Sequence, residues 1–141
     1  MRPLALLLLA AIPLPGCGSA SSEPDTPATP ATSLTITAHW APGAKPIVRT
    51  LTCDPAGGTL RDPAAACTRL EALAHPFAET PADTACTEIY GGPENATVTG
   101  TLAGSPVSTT FARRNGCEIE RWHRHQFLFP PALGGAGSGP S

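Results

Sequence analysis

The sequence predicts an α+β domain, an antiparallel β-sheet with one main helix and a shorter helical segment. Three observations carry that prediction. Leu34–Trp40 alternates apolar and polar residues, the pattern of a half-buried strand. Ala96–Leu102 alternates in the same way, and Val107–Arg113 follows it after a Gly/Pro turn, which is the pattern of a hairpin. Between these stretches, Asp62-Pro63 opens a single helical segment. Strands joined by turns, with helices set apart from them, define the class.

In chain order, Ile47–Cys53 is the second strand, rich in branched residues. Gly43 and Pro46 make the turn before it. Gly57-Gly58 breaks the chain after Cys53. Asp62 then acts as N-cap with Pro63 in the first helical position. The helix runs to about Ala74, with Ala66, Cys67, Leu70 and Leu73 as its buried stripe, and Pro76 stops it. His75–Tyr90 has no period and reads as loop. Gly104-Ser105-Pro106 is the hairpin turn. Cys117–Arg121 forms a helical turn and Trp122–Phe129 a last strand, on which His123 and His125 share a face as surface residues. Trp40 and Trp122 read as core or sheet-face residues, and Arg113-Arg114 as a solvated turn. The sequence contains no internal repeat.

The ends of the chain have a different character. Arg2 followed by the apolar run Leu4–Ile12 is too short for a membrane-spanning helix and has the pattern of a secretory signal, residues 1–16. Leu14-Pro15-Gly16-Cys17 resembles a bacterial lipobox. That resemblance implies cleavage before Cys17 and its lipidation, which would hold a secreted protein on the outer face of the cell membrane. Cleavage near Gly18–Ala20, with Cys17 discarded, is the alternative. Residues 17–32 carry Ser, Pro, Thr and Ala and too little apolar surface to fold, so they read as a tether. Residues 130–141 form a similar Gly/Pro tail. The folded domain is expected over residues 33–129.

Of the five cysteines, the lipid would take Cys17. Cys53, Cys67, Cys86 and Cys117 remain, enough for two disulfides in three connectivities. An oxidising compartment favours bridges over metal, and none of the four forms a Cys-x-x-Cys pair. Past the signal, eight basic side chains face eleven acidic ones. A nucleic-acid partner, which needs a basic face, is not expected. No Ser–His–acid set, phosphate loop or paired-carboxylate motif stands out, so neither an enzyme nor a cofactor or metal is expected.

Several motifs resemble the Streptomyces subtilisin inhibitor family. They are Cys53-Asp-Pro-x-Gly-Gly58, Asp62-Pro-x-x-x-Cys67-x-x-Leu70 and Cys86-x-x-x-Tyr90-x-x-Pro93. Thr97-Val-Thr-Gly100, Phe111 and Asn115-Gly-Cys-Glu-Ile119 extend the likeness across Leu34–Phe129. The resemblance implies helices packed on one face of the sheet, bridges Cys53–Cys67 and Cys86–Cys117, and frequent pairing of two copies through the sheet. It also implies inhibition of a serine endopeptidase through a loop of Thr87, Glu88, Ile89 and Tyr90. By position, Glu88–Ile89 would be the reactive bond and Glu88 the residue entering the protease's main pocket. Members of the family place long or apolar residues at that point. An apolar pocket would desolvate the Glu88 carboxylate without a partner, at a cost of several kcal/mol. A protease that cuts after Glu fits better than a subtilisin-like one. Gly91-Gly92-Pro93 is one residue longer than the family's usual segment, and two glycines predict a looser loop. The competing reading is a non-inhibitory, surface-anchored interaction domain on the same scaffold.

Overall fold

The computed structural model describes residues 29–131. The signal segment, Cys17 and the tether up to residue 28 lie outside the described residues, as does the tail from residue 132. Five strands and two helices follow one another: β1 (Thr32–His39), β2 (Ile47–Cys53), β3 (Gly57–Gly58), α1 (Pro63–Ala72), β4 (Asn95–Leu102), β5 (Ser105–Phe111) and α2 (Gly116–His125). A 3₁₀ turn, Gln126–Leu128, extends α2. The sheet order is β3-β2-β1-β4-β5, and every neighbouring pair is antiparallel.

Alternation along the strands decides which face is covered. Leu34, Ile36 and Ala38 of β1 point inward beside Leu51, Val98, Ala96 and Phe111. Ala66, Cys67 and Leu70 of α1, Trp122 of α2, and Leu128 and Phe129 complete one core with them, so both helices pack on the same face. Each large side chain buried there contributes roughly 1.5–3 kcal/mol. The opposite face carries threonines in register, with Thr35 between Thr50 and Thr99.

The disulfides pair Cys53 with Cys67 and Cys86 with Cys117. The first draws α1 against the end of β2. Asp62 caps α1 by accepting the Ala65 N–H at 3.0 Å. The helix ends earlier than expected: Leu73 is its C-cap, turned into extended backbone and only half-buried, so it does not belong to the buried stripe.

Three further expectations are corrected. Gly57-Gly58 is not a simple break but the short strand β3. A Cβ on Gly58 would come within 2.3 Å of the Thr50 carbonyl oxygen, so glycine is what lets this segment approach β2. The hairpin turn is Ala103-Gly104, both at positive φ, a geometry that matches strand twist. Ser105 and Pro106 already belong to β5, an edge strand that tolerates proline. The largest correction concerns Trp122–Phe129, which is not a strand. Asn115 accepts the Glu118 N–H at 2.9 Å and starts a full helix. Trp122 and His125, three residues apart, share its buried face, and His123 is exposed. The two histidines therefore do not share a face. Trp122 meets Trp40 edge-on, with ring centroids 5.9 Å apart.

Candidate functional site

The site is built by two chain segments that lie side by side, residues 86–91 and 113–117. The second is rigid for local reasons. Asn115 caps α2, and Glu118, three residues on, reaches back to accept the Arg114 backbone N–H at 2.9 Å. This is a variant of the reciprocal capping arrangement. The Arg114 guanidinium also donates to Glu118 at 2.8 Å. That hydrogen bond holds the Glu118 carboxyl below the usual glutamate range.

Segment 86–91 is fastened to this platform at three points. Cys86 is bonded to Cys117 in the first turn of α2. The Gly116 N–H donates to the Thr87 carbonyl at 2.8 Å, and the Gly91 N–H donates to the Arg113 carbonyl at 2.7 Å. Between the two backbone clamps, Glu88, Ile89 and Tyr90 face solvent, the last two with 63% and 64% of their surface exposed. Large apolar side chains this exposed stand out in a domain that buries the rest of its core residues.

The glycines flanking the exposed residues are packed closely. A Cβ on Gly91 would lie 2.8 Å from the Ile119 side chain. Gly92, at φ +133°, lies under the Glu94 carboxylate, which pairs with Arg113 at 3.1 Å. The looser loop predicted from two glycines is therefore not what the packing supports, because neighbouring side chains occupy the space beside both. Arg113 is not a solvated residue: it is half-buried in this pair.

Upstream, the segment that leads into the site is tied down by α2. Arg121 donates from Nε to the Ala78 carbonyl at 3.0 Å, from Nη1 to the Thr110 carbonyl at 2.7 Å and from Nη2 to Thr109 Oγ1 at 2.6 Å. Its guanidinium lies 4.1 Å from the centre of the Phe111 ring. His125 is buried with Nδ1 2.8 Å from the Arg121 carbonyl oxygen and Nε2 facing that of Pro76. Burial pushes its pKa down, and the charges of Arg121 and Arg124 act in the same direction.

Thr87, Glu88, Ile89 and Tyr90 thus come together in one exposed, extended loop, while Cys17 lies outside the described residues. No sequence motif marks Gly116, Arg113, Arg121 or His125 as part of the site. The Asn115-x-x-Glu118 spacing was the available signal for the platform.

The fold and the loop together define a small, two-disulfide domain with one fastened, exposed peptide segment. The family model described as subtilisin inhibitor-like matches residues 28–115, and the chain belongs to that family. The match ends at the N-cap of α2, so the helix bracing the loop lies beyond it. Among solved structures, the chain is similar to Streptomyces caespitosus sermetstatin, crystallised in complex with Bacillus licheniformis subtilisin. Identity is 26% over 63% of this chain and 88% of that one, with a TM-score of 0.42. No curated protein matches the chain.

Proposed function

We propose that the protein inhibits serine endopeptidases by offering Thr87–Tyr90 to the protease cleft as a slowly cut substrate. The observation that carries this reading is the pair of backbone clamps, Thr87 to Gly116 and Gly91 to Arg113, on either side of three exposed residues. Membership of the subtilisin inhibitor-like family supports it.

In this reading the loop docks as an extended strand. The Glu88 carbonyl carbon meets the catalytic serine, and its oxygen enters the oxyanion hole. Little conformational entropy is lost on binding, because the loop is ordered beforehand. Cleavage of Glu88–Ile89 would leave a carboxylate on Glu88 and an amine on Ile89. Cys86–Cys117 and the Thr87–Gly116 bond hold the first end, and Gly91–Arg113 holds the second. Religation then competes with release, since the two ends remain at high effective concentration. Glu88 selects the target: its carboxylate suits a cationic or histidine-lined pocket and penalises an apolar one. Lipidated Cys17 would place the inhibitor at the outer face of the membrane, with residues 17–32 as its reach.

Titration of glutamate-specific and subtilisin-like serine proteases with the purified, folded protein tests the reading. Stoichiometric loss of protease activity is expected, with a slow product cut at Glu88–Ile89 in the mass spectrum. Absence of inhibition of every protease at micromolar inhibitor overturns it.

A further inference from the structure

A second feature lies at the other edge of the sheet. The loop adjoins the end of β5, and beside β3, the opposite edge strand, a groove of about 620 Å³ opens between β2, the start of α1 and the chain after the 3₁₀ turn. Its lining is mostly apolar and includes Leu60, Phe127 and Phe129 together with Arg49, Arg61 and Arg69. Arg69 lies with its guanidinium carbon 5.5 Å from the centre of the Phe127 ring.

The charge of this rim is only partly offset, by Asp62. Arg113, Arg114 and Arg124 each pair with a glutamate. Arg49, Arg61 and Arg69 form no ion pair among the described residues. Three cations against one carboxylate thus line a single groove in a chain whose net charge is −2. Asp62 also lines the groove and keeps its charge, with Oδ1 capping α1, and the Arg49 guanidinium donates to the Val48 carbonyl at 2.8 Å; cations still outnumber acids in the lining. Backbone donors there are already used: the Thr59 and Leu60 N–H groups both donate to the Thr50 carbonyl, at 2.9 and 3.0 Å, and the Ala65 N–H donates to Asp62. A peptide strand would find none of these groups free. A mostly apolar lining with cations in excess, within the size range of small-ligand pockets, suits a single molecule with an apolar body and an anionic head.

We propose that this groove binds an anionic amphiphile, a single-chain carboxylate of the fatty-acid type. Its carboxylate sits among Arg49, Arg61 and Arg69, where guanidinium groups give charge-assisted hydrogen bonds. Its acyl chain lies on Leu60, Phe127 and Phe129. The site does not depend on the protease reading, because the loop and the groove occupy opposite edges of the sheet.

Calorimetric titration of the full chain with dodecanoate below its micelle concentration tests this. Saturable one-to-one binding is expected, with dodecanol and dodecyltrimethylammonium each weaker by about tenfold or more, since they lack the charged acceptor. The double variant Arg61→Gln/Arg69→Gln should lose about tenfold in dodecanoate affinity. All three Arg are on the surface or partly so, and unchanged circular dichroism and melting would show that the variant folds. Phe127→Ala should weaken dodecanoate without restoring any preference for the cationic detergent. Absence of saturable dodecanoate binding overturns the proposal. So does equal affinity for dodecanol, dodecanoate affinity unchanged in the arginine variant, or tighter binding of an oligoglutamate peptide than of dodecanoate.

Discussion

The side chain of Thr87 occupies the space that a Cβ on Gly116 would take. The ideal Cβ position lies 2.1 Å from Thr87 Oγ1, while the Gly116 N–H holds the Thr87 carbonyl at 2.8 Å. Gly116 therefore does two things at once. It donates the bond that fixes Thr87, the residue before Glu88, and it leaves room for that residue's side chain.

Gly116→Ala should displace Thr87 while leaving the fold intact, because alanine suits a helix better than glycine does. The expected result is inhibition weakened about tenfold, the loss of roughly one hydrogen bond. Global stability should stay within about 1 kcal/mol of the parent. Removing the clashing group as well, in Thr87→Ala/Gly116→Ala, should recover much of the loss, giving a non-additive double-mutant cycle. Inhibition constants for the four proteins decide the matter. Independent effects of the two substitutions would mean that this contact does not position the loop.

The two disulfides should separate in their effects. Cys53–Cys67 closes a span of 14 residues and joins β2 to α1, remote from the loop. Cys86–Cys117 closes 31 residues and sits beside the exposed peptide. Either loss, as a Cys→Ser pair, should cost about 3 kcal/mol or more in denaturant melts. Only the Cys86/Cys117 variant should also become a substrate, cut once and not religated, because both new ends are then tethered by hydrogen bonds alone. Mass spectrometry of the incubated complex reads the outcome. Equal cleavage of both variants would place the bracing elsewhere.

In the proposed reading Glu88 enters the protease's main pocket, so Glu88→Lys should transfer potency. Inhibition of a glutamate-specific protease should fall by at least about a hundredfold, since a buried charge would lose its partner and meet a like charge. Inhibition of trypsin should appear in its place. A variant at Ile89 should shift neither target class. Potency indifferent to residue 88 would show that another bond is presented.

How far the sequence carries depends on whether a feature is local. β1 and β2 are legible because Leu34, Ile36, Ala38 and Leu51 alternate with polar residues, and α1 because Asp62-Pro63 marks its start. The exposed loop was placed by its neighbouring motifs. After Arg121 the sequence reads as a strand rather than as the rest of α2, because Trp-His-Arg-His-Gln-Phe-Leu-Phe carries aromatic residues that suit a strand. The helix follows instead from the Asn115 cap and from Trp122 and His125 sharing one buried face, with Glu120–Arg124 at 2.6 Å on its exposed side. The clamps are a different case. They join residues 87 and 91 to 116 and 113 through backbone groups that any sequence possesses, so only their pairing in space reveals them. The packing of Gly91 against Ile119 was hidden for the same reason.

His125 links the loop's approach segment to the acid stability of the domain. Its ring is 2% exposed, stacked near Phe77 and packed against Phe111, and its two nitrogens face the carbonyls of Arg121 and Pro76. Burial lowers its pKa below the ordinary 6.5, and this outweighs the two carbonyl contacts, which favour the protonated form. In the unfolded chain the same imidazole takes up a proton as pH falls through 6.5. The unfolded state then holds more protons, so stability is fully present above 6.5 and declines as pH drops from there toward the lower folded value. Urea melts from pH 8 down to pH 5 should show that decline as a falling midpoint. His125→Phe keeps a ring against Phe111 but removes the titrating group. It should cost about 1–3 kcal/mol at neutral pH, because the neutral imidazole's one N–H donates to the Pro76 or the Arg121 carbonyl and that hydrogen bond is lost. It should also flatten the pH dependence over this interval. A variant that retains the parent slope would assign the acid sensitivity to another group, and a parent protein with no slope would show that His125 is protonated in the folded state as readily as in the unfolded one.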